Sequence, residues 1–304
     1  MKKLLPFIGT ILLANVPLAE PNKAPINSSS ALNSPQLVES IPGWHKFGAL
    51  FVYIQTHWIN ILFLIVLLAI PTIFFLHYKV IGPKVFSHKG KKFLIFPPWQ
   101  RVVHWIAAAG FILLVPTGFL IIYAKFFGGG SFIVFARYLH LIGAILFAIA
   151  FIPMTLMWFK EMLPQIWDIK WLLMLGGYLS KEKKEIPAAK FNAGQKMWYW
   201  IIVFGGFLML LTGLLLYLRD FNIALLSTFN LNNLFGIDIL RISIIVHLLL
   251  AVIIVTFFFT HLYMSIFAIK GAIASMIDGY KSEDELKHLH SIFYKKLINK
   301  EEKF

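Results

Sequence analysis

Four histidines carry the chemical interest of this chain: His104, His140, His247 and His261. Each stands in an otherwise apolar stretch, where an ionisable side chain is costly and marks a functional site by default. His247 and His261 are 14 residues apart. On an α-helix that separation is about 21 Å along the axis and returns to within about 40° of the same face. One helix therefore presents two imidazoles on one side at two depths. His104 and His140 lie near the starts of two further apolar stretches, and an arginine precedes each by three residues, Arg101 and Arg137. Paired imidazoles at two depths are what axial ligation of two stacked haem irons requires. A compact metal site needs its ligands to converge on one point, which this separation forbids. Proton relay or transport, and unrelated structural histidines, are the competing uses of the same residues.

The stretches that must position these side chains are long enough to cross a bilayer. A span takes about 20 mostly apolar residues. Five such runs occur, at 50–77, 102–123, 132–158, 197–218 and 240–269. The composition agrees. Of 304 residues 59% are hydrophobic and 14% charged, where soluble proteins have about 45–50% and about 25%. A soluble globular enzyme and a disordered chain are both excluded. The net charge of +14 then reads as membrane orientation, and no nucleic-acid partner is expected. With a cytoplasmic N-terminus and alternating spans, the connections 79–101, 159–196 and 270–304 face the cytoplasm. With Lys2 and Lys3 they hold 22 of the 28 Lys and Arg, leaving 6 outside. Trp99, Trp105, Trp158, Trp198 and Trp200 lie near span ends, as an aromatic belt would.

This topology sorts the histidines by depth. His140 and His247 fall near the outer face, His104 and His261 near the inner face, so the pairs are His140–His247 and His104–His261. The chain has no cysteine. That excludes thiolate-ligated haem, covalent haem attachment and a Cys-held Fe–S cluster, and leaves histidine as the redox-cofactor ligand. Arg101 and Arg137 can pair with haem propionates. Gly118 shares the face of His104 near the outer level and leaves room for a porphyrin edge. Gly110, Gly143 and Gly213 equally suit helix packing. His57, beside Gln55, Thr56 and Asn60, reads as a polar contact to a neighbouring helix or subunit. His45, His77, His88, His288 and His290 read as solvated.

Several stretches between 94 and 280 together resemble a known family. They are Trp99-Gln100-Arg101-Val102-Val103-His104-Trp105 with Thr117-Gly118; Arg137-Tyr138-Leu139-His140; and Lys190-Phe191-Asn192-Ala193-Gly194-Gln195-Lys196. The last is His261-Leu262-Tyr263-Met264, followed by Lys270-Gly271 and Met276-Ile277-Asp278-Gly279. The region is similar to the cytochrome b (gamma) subunit of membrane-bound formate dehydrogenase. The resemblance implies an all-α integral membrane fold, a four-helix dihaem cytochrome b bundle. It implies two b-type haems, an outer one on His140 and His247 and an inner one on His104 and His261. It also implies menaquinone binding at the cytoplasmic side by Asn192, Gly194, Gln195 and His261. The implied partners are an Fe–S (beta) subunit and a molybdenum or tungsten catalytic (alpha) subunit, both facing the periplasm. Taken without the resemblance, Asn192 reads as a helix N-cap.

Residues 1–93 depart from the four-helix pattern. The expected organisation is a signal-like segment at 1–19, a disordered periplasmic linker at 20–49, an extra membrane helix at 50–78 and a basic cytoplasmic loop at 79–98. The dihaem domain follows at 99–270 and a solvated cytoplasmic tail at 271–304. The expected location is the bacterial inner membrane. A hydrogenase or thiosulfate/polysulfide reductase cytochrome b, a proton-coupled transporter and a haem-free anchor are the rival readings.

Overall fold

A computed structural model of the chain describes residues 53–220, 233–234 and 237–301. The signal-like segment, the linker and His45 lie outside the described residues. The chain divides into two compact units. One, Thr56–Leu211 with Val246–Phe304, contains all four candidate histidines. The other comprises Met1–Gln55 and Thr212–Ile245. Its described part includes a short antiparallel pairing of Asn233 with Asp238 and Leu234 with Ile237.

Five helices are long and apolar enough to cross a membrane: His57–Val80, Pro98–Ile122, Gly130–Trp158, Ala193–Leu218 and Ile239–Ala268. The protein is thus an all-α integral membrane protein; four expected spans exist within four residues of their expected ends, and the first starts seven residues later than expected. In chain order the elements are α1 (Asn60–Val80), β1 (Lys92–Leu94), α2 (Pro98–Ile122), α3 (Gly130–Trp158) and α4 (Ile166–Leu173). Then come α5 (Ala193–Trp200), α6 (Gly206–Asp220), β2 (Asn233–Leu234), β3 (Ile237–Asp238) and α7 (Ile239–Leu262). Last are α8 (Ala274–Ile277), β4 (Tyr280–Ser282), α9 (Glu283–Leu289) and α10 (Ser291–Glu301). One π-helical segment, Ile201–Gly205, joins α5 to α6, and another, Tyr263–Ala268, extends α7.

Local sequence explains these boundaries. Pro98 occupies the first turn of α2, where its missing N–H costs nothing. Helices α2 and α3 pack closely because glycine meets glycine. A Cβ on Gly110 would stand 3.0 Å from the Gly143 carbonyl oxygen, and one on Gly143 3.0 Å from that of Gly110. These two glycines serve helix packing. The bundle core holds Phe147, Ile202 and Ile254.

The expected solvated tail is instead a folded cap. Three distant connections meet at one end of the unit. Strand β1 pairs antiparallel with β4, Lys92 opposite Ser282 and Leu94 opposite Tyr280. Ile186 N–H donates to the His288 carbonyl at 2.7 Å, and Phe293 N–H to that of Ala188 at 3.2 Å. Phe93, Phe96, Trp158, Phe191, Tyr199 and Leu286 form the apolar core beneath. Within the cap Lys281 pairs with Glu285, both nearly enclosed. The meeting of these connections agrees with an alternating topology that places 79–101, 159–196 and 270–304 on one side.

His290, expected in solvent, is 2% exposed. Its Nδ1–H donates to the Ala189 carbonyl at 2.8 Å. Burial, and then the nearby Lys281 ammonium, push its pKa down to about 4, against a smaller opposing pull from Glu285. The unfolded cap therefore takes up the proton first. Cap stability is complete above about pH 6.5, falls as the pH drops, and by about pH 4 has lost roughly 3 kcal/mol. Hydrogen exchange of the β1 and β4 amides between pH 7 and pH 4 measures this. His290→Asn, which keeps an N–H donor without the titration, is expected to flatten the profile. His77 is also engaged, its Nδ1 accepting from the Tyr263 hydroxyl at 2.5 Å. His288 bonds the Asp284 carbonyl through Nδ1 at 2.8 Å. His88 is exposed, as expected.

Candidate functional site

The sequence brings His104 on α2 and His261 at the end of α7 together. Their ring centres are 6.2 Å apart. An iron bonded to two imidazole nitrogens at about 2 Å, with about 1 Å more to each ring centre, gives about 6 Å. The observed spacing therefore fits a metal-centred group held between the rings. His104 Nδ1 and, one turn earlier, Arg101 Nε are buried without a hydrogen-bond partner. Such deficits are rare in folded proteins and point to a group that completes the site. Arg101 Nη1–H is already spent on the Ile277 carbonyl. Trp105 Nε1–H donates to that of Met276 at 2.8 Å, so α2 grips the Met276–Gly279 turn from below.

The pair expected at the outer level is His140 on α3 and His247 on α7, near enough for a charge on one ring to be felt by the other. Its geometry has a local cause in α2. Pro116 interrupts the helical donors, and the next residue, Thr117, donates its hydroxyl to the Leu113 carbonyl at 2.6 Å. That leaves the Thr117 oxygen to accept from His140 Nδ1–H at 2.9 Å. The bond assigns the His140 tautomer and leaves the Nε2 lone pair free to bind a metal. A Cβ on Gly118 would lie 3.5 Å from His140 Cε1, so this glycine does face the outer level. Thr117→Val removes the acceptor. The imidazole loses basicity, and the potential of an outer haem is expected to rise by a few tens of millivolts, about 1 kcal/mol. A redox titration reads this, with the inner haem unmoved.

Between the two levels lies an aromatic layer. Phe111 stacks on Phe258 at 5.2 Å and meets Phe147 edge-on at 5.5 Å. Trp198 lies 6.0 Å from Phe111 and stacks on His261 at 5.9 Å. The role of Trp198 was not legible in the sequence, where it reads as belt. Trp158 also leaves the expected belt. It is 6% exposed and donates Nε1–H to Gln100 Oε1 at 3.2 Å.

The Asn192–Lys196 stretch starts α5 with a reciprocal cap. Gln195 N–H donates to Asn192 Oδ1, and Asn192 N–H to Gln195 Oε1, each at 2.9 Å. Both side-chain oxygens are occupied, while both amides keep N–H donors. Gly194 is needed by its neighbour, since a Cβ there would fall 2.9 Å from the Trp171 ring. Lys196 forms a buried ion pair with Asp168 at 2.7 Å. Arg137 is exposed in the N-terminal part of α3. Among the described residues no three His, Asp or Glu side chains converge as a metal site.

Known proteins resemble this chain over most of its membrane region. The chain is 28% identical over 211 residues to the cytochrome b556(Fdn) subunit of the nitrate-inducible formate dehydrogenase of Escherichia coli K12, covering 67% of this chain and 91% of that one. It is 26% identical over 202 residues to the formate dehydrogenase cytochrome b556 subunit of Haemophilus influenzae, covering 65% and 80%. With the cytochrome b556(fdo) subunit of Escherichia coli K12 it shares 26% over 211 residues, covering 67% and 92%. Residues 95–279, which hold both histidine pairs, the aromatic layer and the gripped turn, match the prokaryotic cytochrome b561 family, whose cofactor is b-type haem. The chain belongs to the prokaryotic cytochrome b561 family.

Proposed function

We propose that this chain is the membrane cytochrome b subunit of a formate dehydrogenase, with two b-type haems and menaquinone as electron acceptor. His140 and His247 would hold the outer haem, His104 and His261 the inner. When bound, these haems supply one-electron carriers at two depths of the membrane. The observation that carries the reading is the pair of imidazole pairs on α2, α3 and α7, the inner one with its ring centres 6.2 Å apart. The likeness of 65–67% of the chain to formate dehydrogenase cytochromes supports the choice of dehydrogenase.

The chain's own residues have separable tasks in this reading. Thr117 orients His140. Arg101 and Arg137 neutralise propionates. The Phe111–Phe258 layer keeps the space between the pairs dry. Asn192 and Gln195 offer amide N–H donors to a quinone carbonyl near His261, and Trp198 links their helix to that imidazole. An Fe–S (beta) subunit on the periplasmic side delivers electrons from a molybdenum or tungsten (alpha) subunit. Inward passage of each electron opposes an inside-negative potential, at about 2.3 kcal/mol per 100 mV. Proton uptake from the cytoplasm by the reduced quinone would conserve that work.

Purification of the intact complex from the bacterial inner membrane tests the assignment. Formate is expected to reduce both haems, with reoxidation by a menaquinone analogue. Reduction by hydrogen alone, or reoxidation by thiosulfate or polysulfide with no response to formate, assigns the chain to the rival complexes. Absence of haem absorbance overturns the cytochrome reading altogether.

A further inference from the structure

Helix α1 lies wholly outside the matched residues 95–279, yet it is built into the inner site. Its last turns meet the π-helical segment that directly follows His261. The Phe74 ring lies flat on the Tyr263 ring, 4.4 Å between centres and 2° between planes. One turn further, His77 holds the same side chain. Its Nε2–H donates to the Tyr178 carbonyl at 2.9 Å, which fixes Nδ1 as an acceptor for the Tyr263 hydroxyl at 2.5 Å. The chain leaving α1 then brackets the far end of the segment. Lys84 N–H donates to the Ala268 carbonyl at 2.8 Å, and Lys270 N–H to the Lys84 carbonyl at 2.9 Å.

A π-helical segment breaks the ordinary helical ladder and so needs outside support. Here Ser265, within it, donates its hydroxyl to the His261 carbonyl at 2.7 Å. Tyr263 is two residues from His261. Whatever fixes Tyr263 therefore fixes the turn from which His261 projects toward His104.

We infer that the extra N-terminal helix is a positioning element for the inner site, with Phe74 and His77 holding Tyr263 so that His261 keeps its place opposite His104. The inference rests on the reading of His261 as a haem ligand. Axial imidazole orientation sets the electronic state of a bis-histidine haem, so an altered turn is read in the spectrum of that haem.

The test uses the intact complex and three variants: His77→Leu, Phe74→Ala and Tyr263→Phe. Low-temperature electron paramagnetic resonance and a redox titration resolve the two haems. All three variants are expected to shift the g-max and midpoint potential of the inner haem and leave the outer haem as in the wild type. His77→Leu with Tyr263→Phe is expected to shift no further than either alone, since both remove one bond. Tyr263→Phe keeps the ring stack and so survives if His77→Leu fails to assemble. Inner-haem signals identical to wild type in assembled Tyr263→Phe overturn the inference. His261→Ala separates the two levels of failure: if it loses one haem while the other variants show no shift, only the positioning role falls. If His261→Ala keeps both haems, the ligand reading falls with it.

Discussion

His247→Ala is expected to halve the haem content, removing the outer haem and sparing the inner, and His104→Ala to do the reverse. The two sites are separated by 14 residues of α7, about 21 Å along one axis. Loss of one ligand therefore leaves the other site intact. Alanine cannot replace an axial nitrogen, and a b-type haem has no covalent link to hold it once a bond is gone. The chain has no cysteine to form such a link. His140→Ala should match His247→Ala, and His261→Ala should match His104→Ala. The pairing is thus tested separately from the ligand identities. Reduced-minus-oxidised spectra with haem quantification decide it. Two haems retained in either single variant would refute the assignment, and loss of both in every variant would refute the separation into two sites.

The parts of this architecture that were legible share one property: their signal is local. Apolar runs of bilayer length mark a span whatever surrounds them, and all five expected spans are present. Two histidines 14 apart on one helix state their own relation through helical geometry. Thr117 was visible only as part of a motif, because its bond to His140 crosses from α2 to α3. The cap was invisible for the same reason. Strand β1 has three residues, and its partner β4 lies almost 190 residues later. Neither stretch has enough periodicity to read alone, and polar composition made 271–304 look solvated. His290 shows the error most clearly, since a histidine in a basic tail gives no sign that distant residues will enclose it. The tryptophans fail differently. A tryptophan at a span end reads alike whether it faces lipid or packs on protein, and Trp158 and Trp198 do the latter. The Asn192–Gln195 stretch carried two readings. Its capping bonds realise the local one, while the quinone role uses the N–H donors those bonds leave over.

Gly279→Ala is expected to release the cap and disturb the inner site together. Gly279 has φ +91°, a conformation that L side chains rarely adopt. A Cβ there would stand 2.4 Å from the Phe96 carbonyl oxygen, a backbone atom that has nowhere to swing. The glycine cannot retreat either. Its own carbonyl accepts from Ile95 N–H at 2.9 Å and Phe96 N–H at 3.2 Å, which locks the turn against the end of β1. Backbone strain of about 1–3 kcal/mol adds to an overpacking cost of about 1–3 kcal/mol, for a total of about 2–6 kcal/mol. At about 1.4 kcal/mol per tenfold, exchange of the β1 and β4 amides should accelerate at least about 30-fold. Gly90→Ala supplies the control. Its φ is +97°, but nothing lies within 4 Å of the added carbon, so it carries strain without collision and a smaller change is expected. The collision with Phe96 would displace a turn that touches the inner site, since the new Cβ would also lie in ordinary contact with Arg101 Nε at 3.4 Å. Arg101 is one turn from His104 and bonds the neighbouring Ile277 carbonyl. An inner-haem potential that moves while the outer one holds would tie the cap to the redox site through this turn. Equal exchange rates in Gly279→Ala and Gly90→Ala would show that the turn has slack which the 2.4 Å approach denies.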